Sequence, residues 1–289
     1  MIAVKDFSME YTFESGQPLT FYGNYNRNEG ELSYVTSYGA FTVTAKNVGS
    51  AAQITARYSG IRPMREIGIE DEVRTRLGLA DNMNEVYGSI DTDSFMHKAI
   101  ARYRGMRVTK SEPWEASLAF VISQFNNIKR IRGIMTCLLR RFGRIYADAD
   151  HKVRLFPEAE TIANASAAEL ARCGAGFRSR YIKNVAREFV ENNEVKKVQS
   201  MAYEDAKELL MTFDGIGDKV ADCILLMGYR KFEAFPIDTW VKRVLEHAYF
   251  NGSPKKIREL HEFAYEKWGH IRGYAQQYIF WYGRSILGR

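Results

Sequence analysis

Residue types able to do chemistry concentrate between Met211 and His247, where a Gly215-Ile216-Gly217 turn, Lys219 and Asp238 follow one another. Glycines serve where the backbone must take positive φ, or where its amides must come close to a ligand. Amides of such a turn, reinforced by the first turn of the next helix, make an anion site suited to a phosphate. Ile216 is expected to anchor the turn in the core. Lys219, just inside the following helix, is either a second phosphate contact or a nucleophile. Asp238 follows Phe235-Pro236 and precedes the amphipathic run Val241, Val244, Leu245 and Ala248, so alone it reads as an ordinary helix N-cap. For the hairpin by itself, a plain glycine-rich corner between two helices is the alternative.

The combination is more specific than its parts. Hairpin, lysine and aspartate in this order, with Arg243 five residues past the aspartate, resemble the helix-hairpin-helix/Gly-Pro-Asp superfamily of DNA glycosylases. The resemblance implies that Lys219 and Asp238 are catalytic and that Gly215, Gly217 and Val220 grip a DNA backbone. Departure of a base from deoxyribose builds positive charge on the sugar, which a carboxylate stabilises. A neutral lysine amine can attack the anomeric carbon, giving a Schiff base and then β-elimination. The iron–sulfur branch is excluded because Cys223 is the last cysteine, and the alkylated-base branch usually lacks the lysine.

Within the superfamily the chain is most similar to the 8-oxoguanine DNA glycosylase/AP lyase family, over most of its length. Residues 217–227, including Cys223 and Met227, resemble the catalytic hairpin and its base-lining helix. Residues 122–128, with Phe125 and Asn126, resemble the intercalating loop, and Gly176-Phe177-Arg178 the second wedge. Gln276 and Phe280 match the residues that bind and stack the extruded base. Ser15-Gly16-Gln17 resembles the segment whose glycine carbonyl reads the N7 proton, which distinguishes 8-oxoguanine from guanine. On local sequence alone Gly16 is equally a turn glycine, and Cys223 and Phe280 are core residues. Phe125 and Phe177 stand where eukaryotic members carry asparagine and tyrosine, so a weaker preference for cytosine opposite the lesion is expected. Arg130 and Arg178 remain as donors to the orphan base. Trp240 replaces a histidine, which puts that phosphate contact in doubt.

These residues need two kinds of framework. Leu32–Thr36, Phe41–Ala45 and Gln53–Tyr58 are β-branched, aromatic and partly alternating, separated by turns at residues 37–39 and Asn47–Ser50. Segments around Ile67–Leu77 and Phe95–Tyr103 look helical. From Glu112 the apolar period becomes helical, with Trp114, Leu118, Val121, Ile122 and Phe125 in one stripe and Ile128, Ile131, Met135, Leu138, Leu139 and Phe142 in the next. The second helix also carries Lys129, Arg130, Arg132, Arg140, Arg141 and Arg144. Ser166–Glu169 is a capping box, and the last helices are expected at residues 254–268 and from Gly273 onward. The expected class is α+β: an antiparallel sheet domain over 1–105, then an all-α domain over 106–289.

A hydrophobic fraction of 46% supplies ample core, and a net charge of +6 suits a polyanion only weakly. Three cysteines without a CxxC pair argue against zinc or iron–sulfur sites and for a reduced intracellular compartment. No secretory leader or membrane span is visible. Double-stranded DNA containing 8-oxoguanine is the expected partner, a monomer the expected state, and no cofactor is required; a monovalent cation at the Gly215–Gly217 hairpin is compatible with the pattern. A glycosylase for alkylated bases and a non-catalytic DNA-binding module are the competing readings.

Overall fold

A computed structural model of the chain describes residues 1–48, 51–63, 68–148 and 152–288. Ile67 at the head of an expected helix, and Gly49 and Ser50 of the Asn47–Ser50 turn, lie outside the described residues.

Alternation of apolar and polar residues makes one buried face on a pleated strand. Chain order runs β1 (Ile2–Lys5), α1 (Met9–Glu14), α2 (Pro18–Tyr22), β2 (Asn24–Asn26), β3 (Glu31–Val35), β4 (Gly39–Val48) and β5 (Ala51–Gly60). The strands form one antiparallel sheet in the order β1-β5-β4-β3-β2. Register sets Leu32 opposite Val43, Tyr34 opposite Phe41, and Phe41 opposite Tyr58, and all of these are buried. Strands β1 and β2 are too short to display a period, which is why alternation marks only the three longer ones. Ser8 caps α1 by accepting from the Tyr11 amide.

Helices follow: α3 (Ile69–Arg76), α4 (Met83–Ile90), α5 (Ser94–Arg102), α6 (Pro113–Ser123) and α7 (Ile128–Phe142). A small hairpin, β6 (Ile145–Ala147) with β7 (Lys152–Arg154), interrupts the series. It resumes with α8 (Ala159–Asn164), α9 (Ala167–Arg172), α10 (Arg178–Glu191), α11 (Tyr203–Met211), α12 (Asp218–Tyr229), α13 (Thr239–Tyr249), α14 (Ile257–Trp268) and α15 (Arg272–Leu287). The capping box expected at Ser166 is present, its hydroxyl accepting from the Glu169 amide and the Glu169 carboxylate accepting in return. The α+β class read from the change of period is the class the chain adopts.

Buried side chains divide into two cores. Those of the sheet, α1 and α3 form one that ends at Leu79; those from Met83 to Ile279 form the other, which also takes in Phe21 of α2. Side chains of α4 and α5 therefore pack with the helices, although their segment precedes the change of period at Glu112 and lies within the sheet domain expected over 1–105. A buried ion pair spans the two parts: Arg76 of α3 donates to Glu115 of α6 at 2.6 Å, and the Tyr22 hydroxyl donates to the same carboxylate at 2.9 Å. Burial pushes the Glu115 carboxyl upward, against the pull of the Arg76 guanidinium.

Cys137 of α7 and Cys173 at the end of α9 form a disulfide, where the spacing in sequence suggests three separate reduced thiols. Packing of α7 against the turn between α9 and α10 closes the 36-residue separation to a Cα–Cα distance of 5.3 Å. Cys223 is free and buried.

Candidate active site

The hairpin between α11 and α12 is built by opposing demands on its glycines. Gly215 takes φ +99°, and a Cβ there would run into the Tyr181 ring, so no other residue fits. Gly217 is different: its φ is −99° and nothing lies within 4 Å of where a Cβ would be. The two uses expected of glycine here are thus divided: Gly215 supplies the positive φ and Gly217 keeps the approach open. As the N-cap of α12 it offers no side-chain acceptor, and the first-turn amides through Val220 face outward uncapped. Ile216 is buried, as the anchoring role requires.

Beneath the hairpin, Asp222 is fully buried and accepts from the Tyr203 hydroxyl at 2.7 Å and the Lys207 ammonium at 3.0 Å. Lys207 also pairs with Asp218 at 2.8 Å, and His261 lies 3.3 Å from Asp218. These two partners, His261 first, hold the Asp218 carboxyl well below its usual range. Asp218, Asp222 and His261 have ligand atoms within 4.8 Å of one another, but the Lys207 ammonium already supplies their cation.

On the opposite side of α12 opens a cleft of about 540 Å³, within the roughly 300–1,000 Å³ typical of ligand pockets. Lys219, Cys223 and Met227 line it at i, i+4 and i+8 of one helix face. The Lys219 ammonium lies 5.3 Å from the centre of the Phe120 ring. Burial pushes the Cys223 thiol up to about 11, although the neighbouring lysine opposes it, so the sulfur is present as a neutral thiol. Asp238 is both N-cap and wall. Its Oδ1 accepts from the Trp240 and Val241 amides at 3.0 and 2.7 Å, and Oδ2 carries no hydrogen bond among the described residues.

The far wall comes from both ends of the chain. Gln276 is buried on α15, with Nε2 donating to the Pro236 carbonyl at 3.0 Å. That bond fixes the amide, and Oε1 is left buried without a partner among the described residues. Gly16 takes φ +77° with a Cβ position only 3.0 Å from Phe280 Cε1, so its peptide lies directly on that ring. Gln277 of α15 donates to the Ser15 carbonyl at 2.7 Å, and Gln17 is clamped through Arg107 and Thr109. Gln277 and Gln17 escape the sequence reading as contributors to the site; a buried glutamine has no periodicity to announce it. Trp240 also lines the cleft, its indole N–H buried and without a partner among the described residues, with the Arg243 guanidinium 5.7 Å from the ring.

Two phenylalanines stand at the rim. Phe125 is 92% exposed at φ +47°, and Phe177 is 57% exposed. Asn126 also lines the cleft and donates to the Ile122 carbonyl. Arg130, one of the two expected donors, is exposed on α7 and donates to the Gly174 carbonyl at 3.4 Å. Arg178 departs from that expectation. It is 2% exposed, and its guanidinium donates to the Gln124 and Phe125 carbonyls, so it holds the loop and is not free to meet a base. Burial and the charge of Arg130 lower its pKa.

Comparison with known proteins bears on this arrangement. Residues 118–269 match the family described as HhH-GPD superfamily base excision DNA repair proteins. A probable N-glycosylase/DNA lyase of Methanothermobacter thermautotrophicus is 41% identical over 116 residues, 40% of this chain and 37% of that protein. The N-glycosylase/DNA lyase of Saccharomyces cerevisiae is 31% identical over 220 residues, 63% of this chain and 58% of that protein. The chain thus matches well under two thirds of the length of either relative. A structure of Clostridium acetobutylicum 8-oxoguanine glycosylase/lyase, with double-stranded DNA containing cytosine opposite 8-oxoguanine, aligns with a TM-score of 0.84 at 25% identity. That alignment covers 97% of this chain and 93% of the other.

Proposed function

The chain belongs to the HhH-GPD superfamily of base excision DNA repair proteins, and on that footing we propose that it is a bifunctional DNA glycosylase/AP lyase that removes 8-oxoguanine from duplex DNA. The observation that carries the choice of base is the orphaned Gln276 Oε1 in the cleft wall. An acceptor held there by the Pro236 carbonyl suits the N1–H and N2–H edge of a guanine ring, and a buried acceptor left unpaired is costly. Phe280 offers a stacking face beside it. The Gly16 carbonyl receives no backbone hydrogen bond among the described residues, leaving it open to the N7 proton of the oxidised base.

Lys219 is the proposed nucleophile. Its amine attacks C1′ as the base leaves, then forms the Schiff base from which the 3′ phosphate is eliminated. Asp238 Oδ2 faces the developing positive charge on the sugar, while Oδ1 keeps the carboxylate oriented from the start of α13. The outward amides of α12 and the hairpin hold a backbone phosphate.

No cofactor enters this scheme. The Gly215 carbonyl accepts from Gln124 at 2.9 Å and keeps a second lone pair, so a monovalent cation at the hairpin stays compatible with the scheme. No helix among the described residues is long and apolar enough to cross a membrane; action as a monomer inside the cell, on double-stranded DNA, completes the proposal. Borohydride trapping on an 8-oxoguanine duplex tests it. Wild type should give a covalent adduct and Lys219→Gln none; an adduct with Lys219→Gln removes the lysine as nucleophile, and excision without any adduct in wild type points to a monofunctional glycosylase.

A further inference from the structure

An exposed phenylalanine in the left-handed region needs something to hold it there. Here the support is a closed ring of contacts around the rim. The Arg178 guanidinium bridges two successive carbonyls, with Nε 2.8 Å from Gln124 O and Nη2 3.0 Å from Phe125 O. The same guanidinium lies 4.4 Å from the centre of the Phe177 ring. Phe177 meets Tyr181 edge-on at 6.2 Å, and Tyr181 covers Gly215 so closely that only glycine fits. The ring closes through Gln124, whose Nε2 donates to the Gly215 carbonyl at 2.9 Å.

We propose that Gln124 and Arg178 are positioning residues that lock both rim phenylalanines to the glycine hairpin, so that the phosphate held at the hairpin sets where the two rings enter the duplex. This rests on the glycosylase reading given above. Both links are local and rigid: a guanidinium fork over two carbonyls, and one amide hydrogen bond to Gly215, where no side chain fits. A phosphate seated on the hairpin amides is thereby at a fixed offset from Phe125 and Phe177. Loosening either link leaves the cleft intact but lets the wedges swing. The rate of displacing a paired base should then fall, while the chemistry on an unpaired one is untouched.

The test compares single-turnover excision from two duplexes, one with 8-oxoguanine opposite cytosine and one with it opposite an abasic site, where no partner must be separated. For Gln124→Leu and for Arg178→Lys, the ratio of the first rate to the second should fall about tenfold, roughly what one lost side-chain hydrogen bond supports. 2-Aminopurine opposite the lesion should also lose the fluorescence rise that wild type induces as the wedges enter. Gln124 is only half buried, so its variant guards against a misfolded Arg178→Lys. Equal loss on both duplexes, or an unchanged ratio with the fluorescence rise intact, overturns the inference while leaving the glycosylase assignment standing. A wild-type chain that neither excises nor is trapped overturns both.

Discussion

Gly16 shows how much one residue can carry at this site. Its φ is +77°, and a Cβ added there would sit 3.0 Å from Phe280 Cε1, so even a methyl group must displace the ring or the peptide. A non-glycine residue in this region costs about 1–2 kcal/mol before any clash is counted. Gly16→Ala should therefore slow 8-oxoguanine excision about tenfold or more, while trapping on a pre-formed abasic site, which has no base to read, changes little. Equal loss on both substrates would argue against a base-reading role. At the rim, Phe125 and Phe177 present rings without hydrogen-bonding groups, and Arg178 is committed to the loop. Excision from an 8-oxoguanine pair with adenine is expected within about tenfold of the pair with cytosine, since few polar contacts remain to separate the two. Gaps of several orders of magnitude in single-turnover rates would contradict this.

Among the elements, the joint between α7 and the α9–α10 turn is where sequence reading falls short. The hairpin, Lys219 and Asp238 are legible because a short spacing on contiguous helices constrains them. Gly16, Gln276 and Phe280 can be named only through a family resemblance, because their meeting is tertiary. The Cys137–Cys173 bond and the Arg178 bracket are not legible, since each pairs segments 36 and 53 or 54 residues apart with no local pattern. Replacing both cysteines with serine should cost about 3–4 kcal/mol if the chain-entropy account of a loop this long holds. The expected readout is a lower denaturant midpoint with a steeper slope, because the denatured chain without the cross-link exposes more surface. An identical midpoint would mean that packing of α7 alone closes the joint.

At the scale of the whole molecule, no described strand residue lines the cleft; the N-terminal part reaches it through Ser15 and Gly16 between α1 and α2 and through Phe21 of α2. Arg76, Glu115 and Tyr22 tie the sheet to the helices, and Gln277 ties the last helix to Ser15. On the DNA side the exposed basic residues of α7 are available for phosphates. Binding should weaken with salt, at about 0.9 in log affinity per log salt for each phosphate neutralised. Arg130→Ala should lower that slope by about 1 and weaken binding to lesion and undamaged duplexes alike. A selective loss on the lesion duplex would instead make Arg130 a base reader.

The hydrogen bond from Gln277 to Ser15 joins positions 262 residues apart. Translation is vectorial, so the far wall of the cleft cannot exist until α15 has left the ribosome, well after the hairpin and Lys219 have emerged. A nascent chain can thus carry Lys219, the proposed nucleophile, for seconds before the surface proposed to select a base is complete. Chains ended before residue 272 should lack that wall and, with it, the buried Tyr274, Tyr278 and Ile279 of the helical core. For this architecture, the surface proposed to select a base is assembled only after the proposed nucleophile has been synthesised.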